Sequence, residues 1–278
     1  MIDLHTHTTA SDGRLSPSQL VARAASAGVT VLAVTDHDTV SACGAVAEAC
    51  GQARIAFVPG IEITAALMGD DVHMLGYFFD PQAPALARFL DAQRLRRLDR
   101  VREMIDRLAR FDIHLDAEVI LRPGLEDASK SAGRPWIARA LVAGGYVATT
   151  AEAFDRWLAR DRPAFVPRAA ATPADVIARI HDAGGIASIA HPALLERDDW
   201  IPGFAAAGLD AIEAHHSRHD AEATSRYRLM AEGLKLGISG GSDFHGDESH
   251  GAPHPGAVSL PRSDFDRLVR LKPDATVT

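Results

Sequence analysis

The 278-residue chain holds two cysteines, 6% aromatic residues and no apolar run near the roughly 18 residues that a membrane helix requires. Two thiols cannot build the disulfide framework of a small secreted scaffold or a cysteine-rich zinc module. Cys43 and Cys50 lie seven positions apart on a predicted helix. At roughly 1.5 Å rise per residue their Cα atoms stand about 10 Å apart, beyond disulfide reach, so they read as buried thiols in a reducing compartment. The first residues lack the basic and apolar stretches of a secretory signal, and a cytoplasmic location is expected. Positive charge is short as well: 29 Lys and Arg stand against 37 Asp and Glu, a formal net charge of −8. That balance excludes wholesale electrostatic capture of long nucleic acid and admits a small anionic substrate. No repeat or low-complexity tract is present, and no serine, cysteine or phosphoryl-carrying aspartate motif points to a covalent intermediate.

What the chain does have is histidine beside carboxylate at the ends of apolar segments. It opens Met1-Ile2-Asp3-Leu4-His5-Thr6-His7, with Asp12 close behind. In a strand, residues i and i+2 share a side, so His5 and His7 can offer two imidazoles to one ion. Similar clusters recur: Asp36-His37-Asp38 after VTVLAVT, Glu62 after FVPGI, His73 before MLGYFF, His191 after IASIA, and Asp243-Phe244-His245 after GISGGS. Strand ends that converge with imidazole and carboxylate assemble a multinuclear metal centre. Asp12, Glu62 and Asp243 supply three negative charges, so three divalent ions, about +6 in total, leave the pocket near about +3 for an anion. Asp36 and Asp38 flank a ligand and read equally as hydrogen-bond acceptors or loop caps.

The apolar segments alternate with helical ones. Ser16-Pro17 opens QLVARAASA, which stops at Gly28; VTVLAVT is a buried strand, 39–50 a helix and RIAFVPGIEIT a strand. The pattern resumes near 165, where Thr172-Pro173 opens ADVIARIHDA and Gly184-Gly185 ends it. IASIA and LDAIEAHH follow as strands, 220–235 as a helix and LGISGGSDFH as the last strand. This is the α/β class with a largely parallel sheet, most simply a barrel. Between the halves, 83–111 reads as a long Arg-rich helix with Leu90, Leu95, Leu98, Val101, Ile105 and Leu108 near helical spacing, followed by helical pieces at 135–143 and 151–160. The expected organisation is a first barrel segment at 1–80, an inserted helical lid at 81–164 and a second barrel segment at 165–278. Arg94, Arg96, Arg97 and Arg100 read either as a solvated face paired with Asp91, Asp99, Glu103 and Asp106, or as the wall of a channel for RNA.

Taken together, HTHTTASDG, TDHDT, PGIEIT, VHMLGY, AHP and GGSDFHG resemble the PHP (polymerase and histidinol phosphatase) family of amidohydrolase-like barrels. Ala132-Gly133-Arg134-Pro135 and Gly145-Tyr146-Val147 bring the chain nearest to the stand-alone branch that carries a helical insertion. The resemblance implies a distorted (β/α)7 barrel. It also implies two to three divalent ions, Mn²⁺ foremost, with Mg²⁺, Zn²⁺ and Fe²⁺ as alternatives. His5, His7, Glu62 and Asp243 would hold one ion; Glu62 would bridge to a second, completed by His73 and His191; Asp12, His37 and His245 would hold a third. Asp12 replaces a histidine of some relatives, which favours the harder Mn²⁺ or Mg²⁺ over Zn²⁺.

The implied activity is metal-dependent hydrolysis of the 3′-phosphate of nucleoside 3′,5′-bisphosphates to 5′-nucleotides. A 5′-3′ exoribonuclease acting on short 5′-phosphorylated RNA and a histidinol phosphatase are the enzyme alternatives, and a metal-binding regulatory module is the non-enzyme one. Asp243, Arg134 and His216 are the expected catalytic residues, and Lys130, Arg134, His216 and His219 the expected substrate contacts. Among His215, His216 and His219 no choice follows from spacing. Trp136 stands where relatives often have histidine, and an indole there could stack on a base. His114, His181, His250 and His254 are isolated and read as surface or loop residues. A small anionic nucleotide, or short RNA, is the expected partner, with no membrane and no obligate protein partner.

Overall fold

A computed structural model describes residues 1–127, 130, 132–168, 171–246 and 251–273. Ser16 accepts the Gln19 N–H while the Gln19 side chain accepts the Ser16 N–H, and this capping box with Pro17 starts α1 (Pro17–Ser26) where the sequence places it. α2 spans Cys43–Ala53 and carries both cysteines, free and buried; burial pushes each thiol up to about 11. The inserted region contains α3 (Pro84–Ala109), α4 (Ala117–Glu126), α5 (Arg134–Ala143) and α6 (Thr150–Ala153), which runs on into a π-helical turn at Phe154–Leu158. Then come α7 (Pro173–Asp182), capped by Thr172 and Asp175, α8 (Pro192–Leu195), α9 (Ile201–Ala206), α10 (Ala221–Leu234) and α11 (Arg262–Arg270). No helix among the described residues is long and apolar enough to cross a membrane.

The strands β1 (Ile2–Asp3), β2 (Val31–Val34), β3 (Ala56–Leu67), β4 (Asp70–Tyr77), β5 (Ile186–Ile189), β6 (Ala211–His216) and β7 (Gly237–Gly241) form one sheet in sequence order. β1, β2 and the first residues of β3 pair in parallel, as do β5, β6 and β7, whereas β4 runs antiparallel to both β3 and β5. Beyond β1 and β7 the two ends meet: Leu4 N–H donates to Gly240 O, Asp243 N–H to His5 O and His7 N–H to Phe244 O. The result is a nearly closed seven-stranded barrel, distorted by its one reversed strand. β2 is buried on both faces, as a parallel strand must be. Leu32 and Val34 pack with Leu20, Val21, Val46 and Cys50, and Val31 and Ala33 with Ile2, Leu4, Val58 and Tyr77.

The chain divides into two compact units, Met1–Phe89 with Ala171–Thr278, and Leu90–Ala170, against the 81–164 expected for the insertion. In the second unit, Leu98, Val101, Ile105 and Leu108 of α3 share a core with Leu121, Ile137 and Leu141. α4 was not among the expected helical pieces, and it carries Pro123 and Gly124, both poor helix formers, in its last turns. Asp116 caps it by accepting the Val119 N–H, and Leu98 and Trp136 close so tightly on Gly124 that an added Cβ would stand 3.1 Å from each. Tertiary packing there overrides propensity, and it sets the half-buried Trp136 indole against this unit's own core.

Candidate metal centre

Past the end of β1, the Thr6–Phe244 bridge holds the first segment against the last, and the His5 and His7 rings emerge with centroids 5.2 Å apart. Glu62 stands midway along β3, almost fully buried, and both its oxygens are engaged. Oε2 lies 3.2 Å from His5 Nε2, 3.3 Å from His7 Nε2 and 3.3 Å from His37 Nδ1. Oε1 lies 2.8 Å from His73 Nδ1 and 3.0 Å from His191 Nε2. Asp243 Oδ1 approaches the Nε2 atoms of His5 and His7 at 3.3 and 3.2 Å. On the outer side, the half-exposed Asp12 stands 3.3 Å from His245 Nε2 and 3.6 Å from His37 Nε2.

All nine residues named as ligands thus lie in one cluster. Three of its groupings, each with donor atoms within 4.8 Å of one another, are His5-His7-Glu62-Asp243, His37-Glu62-His73 and His7-Asp12-His37-His245. Both ring nitrogens of His7 and Nδ1 of His37 are buried with no hydrogen-bond partner, a costly state that metal coordination relieves. Imidazole and carboxylate are the donors that divalent Mn, Fe and Zn accept, so the residues fit such ions.

The electrostatics follow from burial opposed by opposite charge. Burial works against charge on Glu62, yet His37, His5 and His73 hold its pKa well below the usual carboxylate range. Asp243 is held low in the same way, with His5 foremost among the groups that outweigh burial. His7, buried between Asp243 and Glu62, is nonetheless pushed up to about 10, whereas burial takes His37 down to about 3. Two of the nine candidate positions also sit on unusual backbone, His191 at φ 27° and Asp243 at φ 55°. Non-glycine residues in that region cost roughly 1–3 kcal/mol and cluster at functional sites.

Neighbouring residues divide into supports and outsiders. Asp36 accepts Thr8 N–H, Thr8 Oγ1–H and Ser11 Oγ–H, each at 2.7 Å, and so shapes the loop that carries Asp12; Asp38 accepts Thr64 N–H at 3.0 Å. β6 has a bulge between Glu213 and His215, which sends consecutive histidines to different places. His215 Nε2 accepts from Arg228, whose guanidinium also holds Asp264. His216 is fully buried: its Nδ1 accepts the Arg218 N–H at 3.1 Å, so Nε2 carries the proton and donates to Asp243 Oδ2 at 3.2 Å. His219 Nδ1–H donates to Ala214 O and the ring lies 5.2 Å from that of Tyr227.

The pocket over the cluster, about 180 Å³, is lined by Leu194, Arg218 and several of the clustered histidines and carboxylates, and by neither His216 nor His219. These two, expected at the substrate, contact Asp243 and Ala214 O respectively. The exposed Arg218 between them was missed, and its only sequence signal was its place in His-Ser-Arg-His. Glu213, fully buried against His5, was missed as well. Lys130 and Arg134 belong to the second unit. Lys130 N–H donates to Asp127 O at 3.0 Å, and Arg134 opens α5 with its guanidinium 5.7 Å above the Phe154 ring. His181 pairs with Asp210, His254 Nδ1 with Pro255 O, and His250 lies outside the described residues.

Comparison with known proteins places this geometry among relatives. A profile of the PHP domain matches residues 3–129. The chain is 36% identical over 250 residues to a 5′-3′ exoribonuclease of Salmonella typhimurium, across 87% of this chain and 84% of that protein. It is 35% identical over 251 residues to a 3′,5′-nucleoside bisphosphate phosphatase of Chromobacterium violaceum, across 88% and 87%. A crystal structure from Bifidobacterium adolescentis, assigned as a metal-dependent phosphoesterase, superposes with a TM-score of 0.81 at 30% identity over 98% of this chain and 96% of that one.

Proposed function

Because this chain belongs to the PHP family and is a metal-dependent phosphoesterase, we propose that it removes the 3′-phosphate of nucleoside 3′,5′-bisphosphates to leave 5′-nucleotides. Two to three divalent ions, Mn²⁺ foremost, would be held by His5, His7, Glu62 and Asp243, by Glu62, His73 and His191, and by Asp12, His37 and His245. The observation that carries this reading is the convergence of nine imidazoles and carboxylates around buried nitrogens that lack hydrogen-bond partners. When bound, the ions supply charge neutralisation at phosphoryl oxygens and activation of water at neutral pH.

The chain's own residues do the rest. Glu62 faces two groups of imidazoles with its two oxygens, which suits a bridging role. His216 holds Asp243 by donating to its outer oxygen. Arg218, on the barrel unit itself, offers a guanidinium to phosphate oxygens at the pocket mouth, and its planar fork binds them bidentately. Arg134 and Lys130 are proposed as further phosphate contacts, Arg134 at the phosphoryl group that is hydrolysed.

The likeness to an exoribonuclease supports a second reading, hydrolysis of short 5′-phosphorylated RNA at the same centre. Two of the four α3 arginines that could line an RNA channel are held elsewhere, which supports the mononucleotide. Arg94 donates to Gly124 O at 2.9 Å and Arg100 to Val166 O at 2.8 Å, so both bind backbone of their own unit. The deciding experiment is a phosphate-release screen of the Mn²⁺-loaded protein on 3′,5′-bisphosphates, 3′-monophosphates, histidinol phosphate and short 5′-phosphorylated RNA. The 3′,5′-bisphosphate should lead in kcat/KM; faster turnover of RNA would select the nuclease, and no release from any ester would return the regulatory module.

A further inference from the structure

Glu213 belongs to none of the sequence motifs, yet its side chain is fully buried beside the cluster with both oxygens committed. Oε1 lies 2.9 Å from His5 Nδ1, and Oε2 accepts the His191 backbone N–H at 2.6 Å. One contact reaches the segment that begins the barrel and the other the end of β5. An ionised carboxylate accepts hydrogen bonds and cannot donate them, so His5 carries its proton on Nδ1. That leaves His5 Nε2 turned toward Glu62 Oε2 at 3.2 Å and Asp243 Oδ1 at 3.3 Å, where an ion would sit. The second contact ties down a backbone that is costly to hold, since His191 adopts φ 27° and ψ 57°.

We propose that Glu213 is the positioning residue of the ion centre: it selects the ligating tautomer of His5 and pins the His191 backbone. Two imidazoles supplied from distant parts of the chain are thereby aligned before an ion arrives. This rests on the assignment of His5 and His191 as ligands made above.

The chemistry makes Glu213→Gln informative although it is nearly isosteric. If the carboxamide oxygen stays on His191 N–H, its NH₂ faces His5 Nδ1, which must then accept, and the proton moves to Nε2, the ligating atom. If the amide turns over, two donors meet at His191. The first orientation leaves the proton on the ligating atom of His5, and the second breaks the His191 contact.

The test compares Zn²⁺ affinity, by competition with a chelator, and the unfolding midpoint of the metal-free chain in the wild type, Glu213→Gln and Ser188→Ala. The tightest ion should bind ten- to hundred-fold more weakly to Glu213→Gln, the usual cost of losing a partner behind a ligand, with the metal-free form still folded and its midpoint lowered no further than that of Ser188→Ala. Ser188→Ala breaks a buried 2.7 Å hydroxyl contact with Ser239 without touching either imidazole, and should shift the midpoint while leaving affinity alone. Affinity of Glu213→Gln within about twofold of wild type, failure of its metal-free form to fold, or equal weakening in Ser188→Ala would overturn the proposal. A wild type that binds no ion would instead bring down the ligand assignment on which it rests.

Discussion

A Cβ added at Gly241 would stand 2.3 Å from His5 N and 2.6 Å from His5 Cβ, so the last strand presses on the His-x-His segment where a side chain cannot be accommodated. Overpacking of this kind costs about 1–3 kcal/mol. Gly241→Ala should therefore lower Tm and strip the ion held by His5 and His7, measured by calorimetry and elemental analysis; an unchanged Tm with full ion content would contradict the packing argument. Asp243 sits at φ 55°, a region that Asn tolerates better than most residues, so Asp243→Asn preserves the backbone while removing charge. Ion occupancy and activity should both fall in that variant, with the fold retained by circular dichroism. Wild-type occupancy would mean that the carboxylate charge is dispensable. Residue identity was the legible part of the site: the nine candidate donors fall in short histidine- and carboxylate-bearing motifs beside or within the apolar segments. Glu213 was not legible, since a lone Glu inside LDAIEAHH looks like any polar residue of a strand.

Capping and turn chemistry made some elements readable and others not. Ser16-Pro17 and Thr172-Pro173 announce α1 and α7 because their side chains satisfy local backbone N–H groups, a property of neighbours in sequence. The reversal of β4 and the bulge in β6 are not local, because each is set by the partner strand. The bulge sends His216 to Asp243 and His215 to Arg228, a choice that spacing left open. α7 is also tied to the residue before β6, where His181 Nε2 lies 2.7 Å from Asp210 Oδ2, and that hydrogen bond raises the His181 pKa against partial burial. A raised folded-state pKa means stability that is full below the unfolded value near about 6.5 and lost as pH climbs through the folded one. His181→Gln should thus lower Tm more at about pH 5.5 than at about pH 9. An equal loss at both would assign the contact to packing alone.

Ion binding couples the site to the whole molecule, since only the folded barrel brings the ligands together. Each ion at a free concentration 100-fold above its Kd adds about 2.7 kcal/mol to stability, so chelation should lower the unfolding midpoint and Mn²⁺ restore it. A midpoint indifferent to chelator would argue against structural ions. The second unit contributes differently: if Arg134 contacts a phosphate, Arg134→Lys should lose activity and Arg134→Ala lose more, with ion content unchanged, because an ammonium cannot copy the planar fork. Wild-type kinetics in Arg134→Ala would leave substrate to the barrel alone. The amino-acid sequence by itself determined the α/β class, the alternation of strand and helix, and the chemical type of the centre, because periodicity, caps and donor atoms are carried by short stretches of chain. Tertiary structure alone decided which strand reverses, that Glu62 faces imidazoles on two sides, and that Glu213 stands behind a histidine 208 residues earlier in the chain. Those contacts exist only once the barrel closes, and no local pattern encodes a distance across it.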